Sequence, residues 1–332
     1  MKKLINSPDR VLVEALDGFG AAHGDIVVVD QEHRFVRRRA LAADKVALIS
    51  GGGSGHEPLH IGFVGHGMLD AACPGAVFTS PTPDQMLAAA EAVDAGSGVL
   101  FIVKNYEGDV MNFQMAAELA ASPARDIQTI LIDDDVAVEK STYSTGRRGV
   151  AGTLVVEKIV GAAAEEGHGI DELRQLGERV VRQTRSMGVA LTSCTVPAVG
   201  APTFSLGDDE MEMGVGIHGE PGRRRMKLAR ADAIADEMLG AILGDLDARA
   251  GTEVLLLVNG LGGTPAMELY VMLDAARRIL TDRRIEVART LTGPWVTSLD
   301  MAGCSITVSV IDQRLRALWD APVHTAALRW RM

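Results

Sequence analysis

The feature that most constrains the fold is a repeated alternation of short apolar runs with longer stretches rich in Ala, Leu, Glu and Met. The apolar runs are residues 45–50, 98–105, 253–260 and 305–312, and the helix-like stretches include residues 82–96 and 231–246. Short runs rich in β-branched residues are typical of buried strands. Because strands that alternate with helices form layered structures, the sequence predicts an α/β fold with largely parallel or mixed sheets.

The chain is long enough for two such units, since it has 332 residues and domains commonly span ~100–200. A helix-like run ends near Gly188. Residues 192–212 follow, where prolines, glycines and an acidic turn interrupt any regular pattern. We therefore predict an N-terminal α/β domain over residues 1–190 and a C-terminal α/β domain over residues 191–332.

Composition excludes several classes of partner. The formal net charge is −11 at pH 7, so the chain would gain nothing from counterion release on DNA or RNA. No uninterrupted apolar run approaches the roughly 20 residues of a membrane helix, and residues 1–16 lack the apolar core of a signal peptide. The cysteines lie far apart without a CxxC pair. These features predict a cytoplasmic protein that binds neither nucleic acid nor membrane.

Glycine clusters after the apolar runs, where open α/β sheets bind ligands at the carboxyl ends of their strands. The first cluster, GGGSGHEP at residues 51–58, is predicted to be a loop. It has neither the Gly-Lys-Ser/Thr end of a P-loop nor the spacing of a dinucleotide-binding GxGxxG turn. We therefore expect no nucleotide site on this chain.

Two histidines lie among glycines, which leave an imidazole open to a small ligand. His56 follows the first cluster, and His218 lies in GVGIHGEPG, residues 214–222. A histidine is a suitable acid or base for a hydroxyl proton, and a neutral imidazole can attack a carbonyl carbon. The alternative for each is an ordinary surface or hydrogen-bonded histidine.

A third polar stretch, FIVKNYEGDVMNF at residues 101–113, begins as a strand and continues through Lys104 and Asp109. The Asp109 carboxylate would accept a substrate hydroxyl, or would cap the N-terminus of the following helix. The two roles are compatible.

Two charged runs have less specific interpretations. The acidic run at residues 133–135 follows a strand-like segment, and we interpret it as a solvated turn rather than a metal site. The basic run at residues 223–225 is either a surface face or a contact for a phosphate on a partner.

A set of motifs in order resembles the dihydroxyacetone kinase family, specifically its substrate-binding subunit. They are GGGSGHEP, CPGAVFTSP, VKNYEGDVMNF, GRRGVAGTL, LGDDEMEMGVGIHGEPG, VNGLGGTP and TSLDMAGCSIT. The resemblance extends from about residue 4 to the C-terminus. It implies two α/β domains, a homodimer and the phosphotransferase activity of a dihydroxyacetone (glycerone) kinase.

Carried over residue by residue, the resemblance implies a dihydroxyacetone site. The family's histidine that forms a hemiaminal with the C2 carbonyl matches His218. His56 and Asp109 match the residues that deprotonate the terminal hydroxyl. The implied substrate-binding positions are Gly53, Ser54, Gly55, His56, Lys104, Asp109 and His218. No metal site is implied on this chain.

The resemblance also implies a separate phosphoryl donor. In single-chain relatives a nucleotide-binding domain follows the substrate domain, whereas this chain ends at Met332. We therefore expect Mg-ATP, or ADP recharged by a phosphotransferase-system protein, on a partner subunit, and no cofactor on this chain. Two alternatives stay open: a non-catalytic coactivator that binds dihydroxyacetone, and a kinase subunit for a related short ketose. The presence of both His56 and Asp109 favours catalysis.

Overall fold

The computed structural model describes residues 2–123, 125–137, 146–220 and 222–332. The helices are α1 (Val11–Ala22), α2 (Pro83–Val93), α3 (Glu107–Ala120), α4 (Gly152–Glu165), α5 (Ile170–Arg182), α6 (Ala231–Asp245), α7 (Ala266–Asp282) and α8 (Gln313–Asp320). The strands are β1 (Val27–Val29), β2 (Val36–Arg38), β3 (Ala47–Ser54), β4 (Gly65–His66), β5 (Ala71–Val77), β6 (Val99–Lys104), β7 (Ile127–Ile132), β8 (Thr184–Ala190), β9 (Glu210–Met213), β10 (Arg224–Lys227), β11 (Glu253–Gly260), β12 (Glu286–Gly293), β13 (Gly303–Val310), β14 (Val323–Thr325) and β15 (Arg329–Trp330). This alternation confirms the predicted α/β class. Within the described ranges, no helix combines the length and the apolar composition needed to cross a bilayer.

The first sheet has the strand order β1-β2-β5-β3-β6-β7. Strands β5, β3, β6 and β7 are parallel to one another, and β1 and β2 are antiparallel to their neighbours. The predicted loop at residues 51–58 is wrong in its first half. Gly51, Gly52 and Gly53 continue β3 and pair with β5, so the loop begins only at Gly55.

The second sheet has the strand order β10-β9-β8-β13-β11-β12. Only β11 and β12 run parallel among its recorded pairs, so this sheet is mixed. Strand β8 belongs to it, although the predicted boundary at residue 190 assigned that strand to the N-terminal domain. The C-terminal strand β14 returns to pair with β4, and β15 pairs with β14 on its other side. The division into domains therefore stays a prediction, while the change of sheet lies between β7 and β8.

Helix α4 lies at the centre of the molecule. Every residue from Gly152 to Ala164 is buried, and the helix contacts β6 of the first sheet and β8 and β13 of the second. Side chains of both sheets, such as Leu100 and Leu257, belong to one apolar cluster with this helix. A helix whose apolar side chains lie on every side is stable only in such a position, and the buried Glu157 and Lys158 of α4 have partners there. The two sheets consequently share a core and hold their loops in a fixed relation.

The interpretation of residues 133–135 as a solvated turn is wrong. Asp134 and Asp135 are 0% and 1% exposed. Asp134 accepts the backbone N–H of Gly152 at 2.7 Å and the hydroxyl of Ser186 on β8, whereas Asp135 pairs with Arg148 at 2.7 Å. Buried carboxylates need such partners. The acidic run therefore connects the end of the first sheet to α4 and to the second sheet.

Candidate active site

The glycines at the end of β3 are required by close packing. A Cβ at Gly51 would lie 2.6 Å from the carbonyl oxygen of Cys73, and one at Gly53 would lie 2.6 Å from the backbone nitrogen of Thr79. A Cβ atom does not come this close to a non-bonded atom, so a side chain here would push the neighbouring backbone away. The glycines let β5 and the turn after it pack directly on β3, which fixes the floor of the site.

His218 and His56 meet at the end of β3, although 162 positions separate them in the chain. The segment after β9 carries His218 to this place. The Nε2 atoms of the two rings are 3.1 Å apart, and the rings are nearly perpendicular with centroids 4.6 Å apart. His56 is fully buried and stacks on Phe78, whereas His218 is partly exposed.

The tautomer of each histidine follows from its other nitrogen. Nδ1 of His56 is 2.7 Å from the carbonyl oxygen of Thr297, which can only accept, so this Nδ1 carries the proton. Nδ1 of His218 is 3.2 Å from Oε1 of Glu220 and donates to that carboxylate. In the neutral form of either ring, Nε2 is then the nitrogen with the lone pair.

Glu220 is a residue that sequence analysis missed. Its Oε2 also accepts the backbone N–H of His218, at 2.9 Å. Glu57 of the first Glu-Pro pair does the same for the backbone N–H of Gly55, at 3.0 Å. In both motifs a glutamate binds the amide two residues before it, but only in the second is that residue a histidine. The repeated Glu-Pro was the available signal; Pro221 itself lies outside the described residues.

Electrostatics set the protonation of this group. Burial lowers the pKa of His56 well below its ordinary value, and the nearby His218 and Lys104 add to the effect. Burial opposes ionisation of Glu220, but His218 and Arg148 outweigh it and hold the pKa of Glu220 at about 2. At neutral pH His56 is therefore neutral and Glu220 is ionised.

A cavity of about 590 Å³ opens in front of His218. Its lining includes the predicted site residues Gly53, Asp109 and His218. Phe78 and Tyr106 form apolar walls on either side of His218, with ring centroids 5.2 and 4.4 Å from the imidazole. Sequence analysis missed these walls and also Asn112, because nothing in their local pattern marks them as neighbours of a glycine cluster.

Asp109 lies in the first turn of α3, where its side chain is 3% exposed but reaches the cavity. The predicted N-cap role is wrong, since the N-cap position is Tyr106 and Asp109 is the third helical residue. Lys104 ends β6 with no exposed surface, and its Nζ lies 3.7 Å from Oδ2 of Asp109. Lys104 is therefore behind the cavity wall, and its contact with substrate stays a prediction.

Two other predicted substrate positions use their polar groups within the protein. The hydroxyl of Ser54 donates to the carbonyl oxygen of Gly75 at 2.7 Å, and the N–H of Gly55 donates to Glu57. Their contact with substrate stays a prediction. Across the described ranges, no cluster of three or more His, Cys, Asp or Glu side chains is placed to hold a metal ion.

Comparison with known proteins decides the family. The model of the Dak1 domain matches residues 17–327 of the chain. The chain belongs to the Dak1 domain family. The prediction of a dihydroxyacetone kinase relative from sequence motifs is thereby confirmed.

Individual Dak1 relatives match the chain along nearly its whole length. It is 49% identical to the PTS-dependent dihydroxyacetone kinase 1, dihydroxyacetone-binding subunit DhaK, of Listeria innocua, covering 98% of this chain and 100% of that one. It is 46% identical to the PEP-dependent dihydroxyacetone kinase, dihydroxyacetone-binding subunit DhaK, of Escherichia coli, covering 99% of each. These relatives are phosphotransferases.

A solved structure of a Dak1 relative has the same architecture. The dihydroxyacetone kinase operon co-activator Dha-DhaQ superposes with a TM-score of 0.90 at 35% identity, covering 95% of this chain and 97% of that chain. This agreement confirms the predicted α/β fold class over 95% of the chain. It also shows that kinase subunits and a co-activator share the fold.

Proposed function

We propose that the chain is the acceptor-binding subunit of a dihydroxyacetone kinase, which holds dihydroxyacetone as a hemiaminal on His218 and presents its hydroxyl for phosphorylation. The observation that carries the proposal is that the Nε2 atoms of His56 and His218 lie 3.1 Å apart, and that His218 lines the cavity. The identity to the Listeria and Escherichia coli subunits supports the substrate.

Capture uses the lone pair of His218. Nε2 adds to the C2 carbonyl carbon, the C=O π electrons move to oxygen, and that oxygen takes a proton to give the hemiaminal hydroxyl. The positive charge left on the imidazole faces the Glu220 carboxylate, which stabilises it. Two lone pairs 3.1 Å apart also repel unless a proton lies between them, so using one of them in a bond relieves that repulsion.

Covalent capture positions a ligand that is too small for many contacts. It selects for a ketone or aldehyde, because glycerol has no carbonyl to attack. Asp109, at the cavity wall, and the neutral His56 are the proton acceptors that we assign to the terminal hydroxyl. That hydroxyl oxygen attacks the phosphoryl group, and its proton passes to the acceptor.

The phosphoryl donor is proposed to be a separate subunit. A nucleotide there would supply the phosphoryl group, and its bound Mg²⁺ would neutralise the charge. No residue of this chain is assigned to that metal. The names of the two relatives, PTS-dependent and PEP-dependent, support a donor recharged by the phosphotransferase system rather than by exchange with ATP. A homodimer and a cytoplasmic location stay predictions.

The second candidate is a coactivator that binds dihydroxyacetone without transferring phosphate. The TM-score of 0.90 to the co-activator structure favours it. The higher identity to the kinase subunits, 49% against 35%, favours catalysis. A related short ketose remains a possible substrate for either, since the cavity is larger than a three-carbon ligand requires.

Dihydroxyacetone labelled with carbon-13 at C2 tests the capture step by NMR. We expect a protein-bound tetrahedral carbon with the wild type and with His66→Ala, a surface histidine, but none with His218→Ala. Its absence from the wild type would overturn the covalent assignment. Phosphate transfer from phosphoenolpyruvate, in the presence of the donor subunit and phosphotransferase-system proteins, then separates the kinase from the coactivator.

A further inference from the structure

A buried row of polar side chains runs from α4 to the active-site cavity behind β3. Its members are Glu157 of α4, His60, Lys104 of β6 and Asp109 of α3, and each is 5% exposed or less. Oε1 of Glu157 is 2.8 Å from Nδ1 of His60, and Nε2 of His60 is 2.8 Å from Nζ of Lys104. Lys104 Nζ then lies 3.7 Å from Oδ2 of Asp109. Only Asp109 of the four lines the cavity.

The hydrogen positions in this row follow from its ends. An ammonium has only N–H donors, and Lys104 donates to Nε2 of His60 and to the carbonyl oxygen of Gly51 at 3.2 Å, with Oδ2 of Asp109 in an ion pair at 3.7 Å. Nε2 of His60 must therefore be the lone-pair nitrogen. Nδ1 carries the proton and donates it to Glu157. His60 thus has one allowed tautomer, which both of its neighbours determine.

Ser50 reinforces this arrangement. Its hydroxyl lies 2.9 Å from Nδ1 of His60 and donates its own proton to the carbonyl oxygen of Ile102 at 2.7 Å. It can then only accept from His60, so Glu157 and Ser50 share the single Nδ1 proton. The imidazole is consequently held from three sides, although it touches neither the cavity nor either of the paired histidines.

We propose that His60 and Glu157 are positioning residues for phosphoryl transfer, which act through Lys104 to keep an ammonium against the Asp109 carboxylate. The inference rests on the proposed role of Asp109 as a proton acceptor. Without the ammonium, the buried Asp109 carboxylate would lose the opposite charge that lies 3.7 Å from its Oδ2. Without a hydrogen-bond acceptor and a negative charge behind it, a fully buried lysine would lose its proton.

The direction in which each pKa is shifted agrees with these proposed roles. Burial lowers the pKa of Lys104, and the charges of Asp109 and Glu157 oppose that shift. Burial also lowers the pKa of His60 well below its ordinary value, so the ring stays neutral. Burial raises the pKa of Glu157 to about 8, against the opposing charge of Lys104.

Glu157 therefore gains its negative charge as the pH rises through about 8. That charge favours the protonated form of Lys104. The groups that face Glu157 are His60 and Lys104, with Asp109 and His56 beyond them. The adjacent lysine of α4, Lys158, points away and donates to the carbonyl oxygen of Leu318.

The test compares wild type with Glu157→Gln, which copies the neutral form of Glu157 without changing its size. We expect the two proteins to transfer phosphate at rates within about twofold at pH 6.5. By pH 9 the variant should be several-fold slower than wild type, because Lys104 without the Glu157 charge loses its proton at lower pH. Glu165→Gln, at the far end of α4 in an ion pair with Arg38, is the matched control and should follow wild type at every pH.

Two further readouts make the result decisive. In protein with carbon-13-labelled lysine, the Cε resonance of Lys104 should titrate at lower pH in Glu157→Gln than in wild type, with no donor subunit required. Capture of labelled dihydroxyacetone by His218 should be unchanged, which shows that the fold and the covalent site are intact. An unchanged Lys104 titration, or a rate ratio that is constant from pH 6.5 to 9, would overturn the inference. Absence of transfer by wild type would instead refute the proposed function.

His60 supplies an independent variant. His60→Phe keeps the volume but removes both nitrogens, so it should reduce the rate of transfer more than it changes KM. His60→Gln, whose amide can accept from Lys104 and donate to Glu157, should restore part of that rate. Equal losses in the two variants would indicate a purely structural role.

Discussion

Glu220 offers the sharpest test of how this site works. The Glu220→Gln change keeps the shape of the side chain but replaces one carboxylate oxygen by NH₂. The amide oxygen is needed to accept the backbone N–H of His218, which the carboxylate binds at 2.9 Å. The NH₂ group then faces Nδ1 of His218 and must donate to it. Nδ1 becomes the acceptor, the ring proton moves to Nε2, and the lone pair that attacks the ketone is lost.

The size of the effect of Glu220→Gln on capture can be calculated from the interactions of the carboxylate. Holding the pKa of Glu220 at about 2 instead of 4.5 corresponds to about 3 kcal/mol that favours the ionised form. Part of this comes from His218 and part from Arg148. A hydrogen bond to a charged group contributes about 1.5–3 kcal/mol. The equilibrium for capture should therefore weaken by about 10- to 100-fold.

The assay is a titration with dihydroxyacetone labelled with carbon-13 at C2, followed by the NMR signal of the bound tetrahedral carbon. Glu57→Gln is the matched control, because Glu57 also binds a backbone N–H two residues earlier but does not contact an imidazole nitrogen. The control should capture as wild type does. Capture by Glu220→Gln at wild-type affinity would refute the assignment of the His218 tautomer.

The same carboxylate predicts a dependence of stability on pH. Because its folded pKa is depressed, the stabilisation of about 3 kcal/mol is present above pH 4.5 and is lost as the pH falls through about 2. Urea unfolding at pH 6 and pH 3 should show a smaller loss of stability for Glu220→Gln than for wild type. An equal loss would show that Glu220 is not ionised in the fold.

Three further changes test the roles of other residues. His56→Asn or Asp109→Asn should leave capture within about threefold but slow transfer by on the order of 10²–10⁴ in rapid-quench assays with the donor subunit; full activity of the double variant would remove both from the mechanism. Gly53→Ala should abolish capture and cost about 1–3 kcal/mol in calorimetry, whereas Gly18→Ala, where a Cβ meets nothing within 4 Å, should not destabilise. Asp134→Ala removes the acceptor of two buried backbone N–H groups and should cost about 3 kcal/mol in denaturant unfolding, and a smaller effect than 1 kcal/mol would contradict its connecting role.

The corrections show where local sequence stops being informative. The glycines of residues 51–53 were expected in a loop because glycine usually interrupts strands. They lie in β3 because Cys73, Lys104 and Thr79 leave no room for a Cβ, and those neighbours come from elsewhere in the chain. The acidic run was expected in solvent because isolated aspartates are seldom buried. Its partners on α4 and β8 make burial possible, and no sequence pattern near residue 134 predicts these partners.

The sequence by itself determined the α/β class, the family and three residues that line the cavity, Gly53, Asp109 and His218. Strand periodicity and long motifs are local properties, so they can be read without coordinates. Tertiary structure alone decided the 3.1 Å contact between His56 and His218 and the acceptors that fix their tautomers. It also decided the row from Glu157 to Asp109. These depend on distances between side chains from different sheets and helices, and only the packing of both sheets around α4 sets such distances.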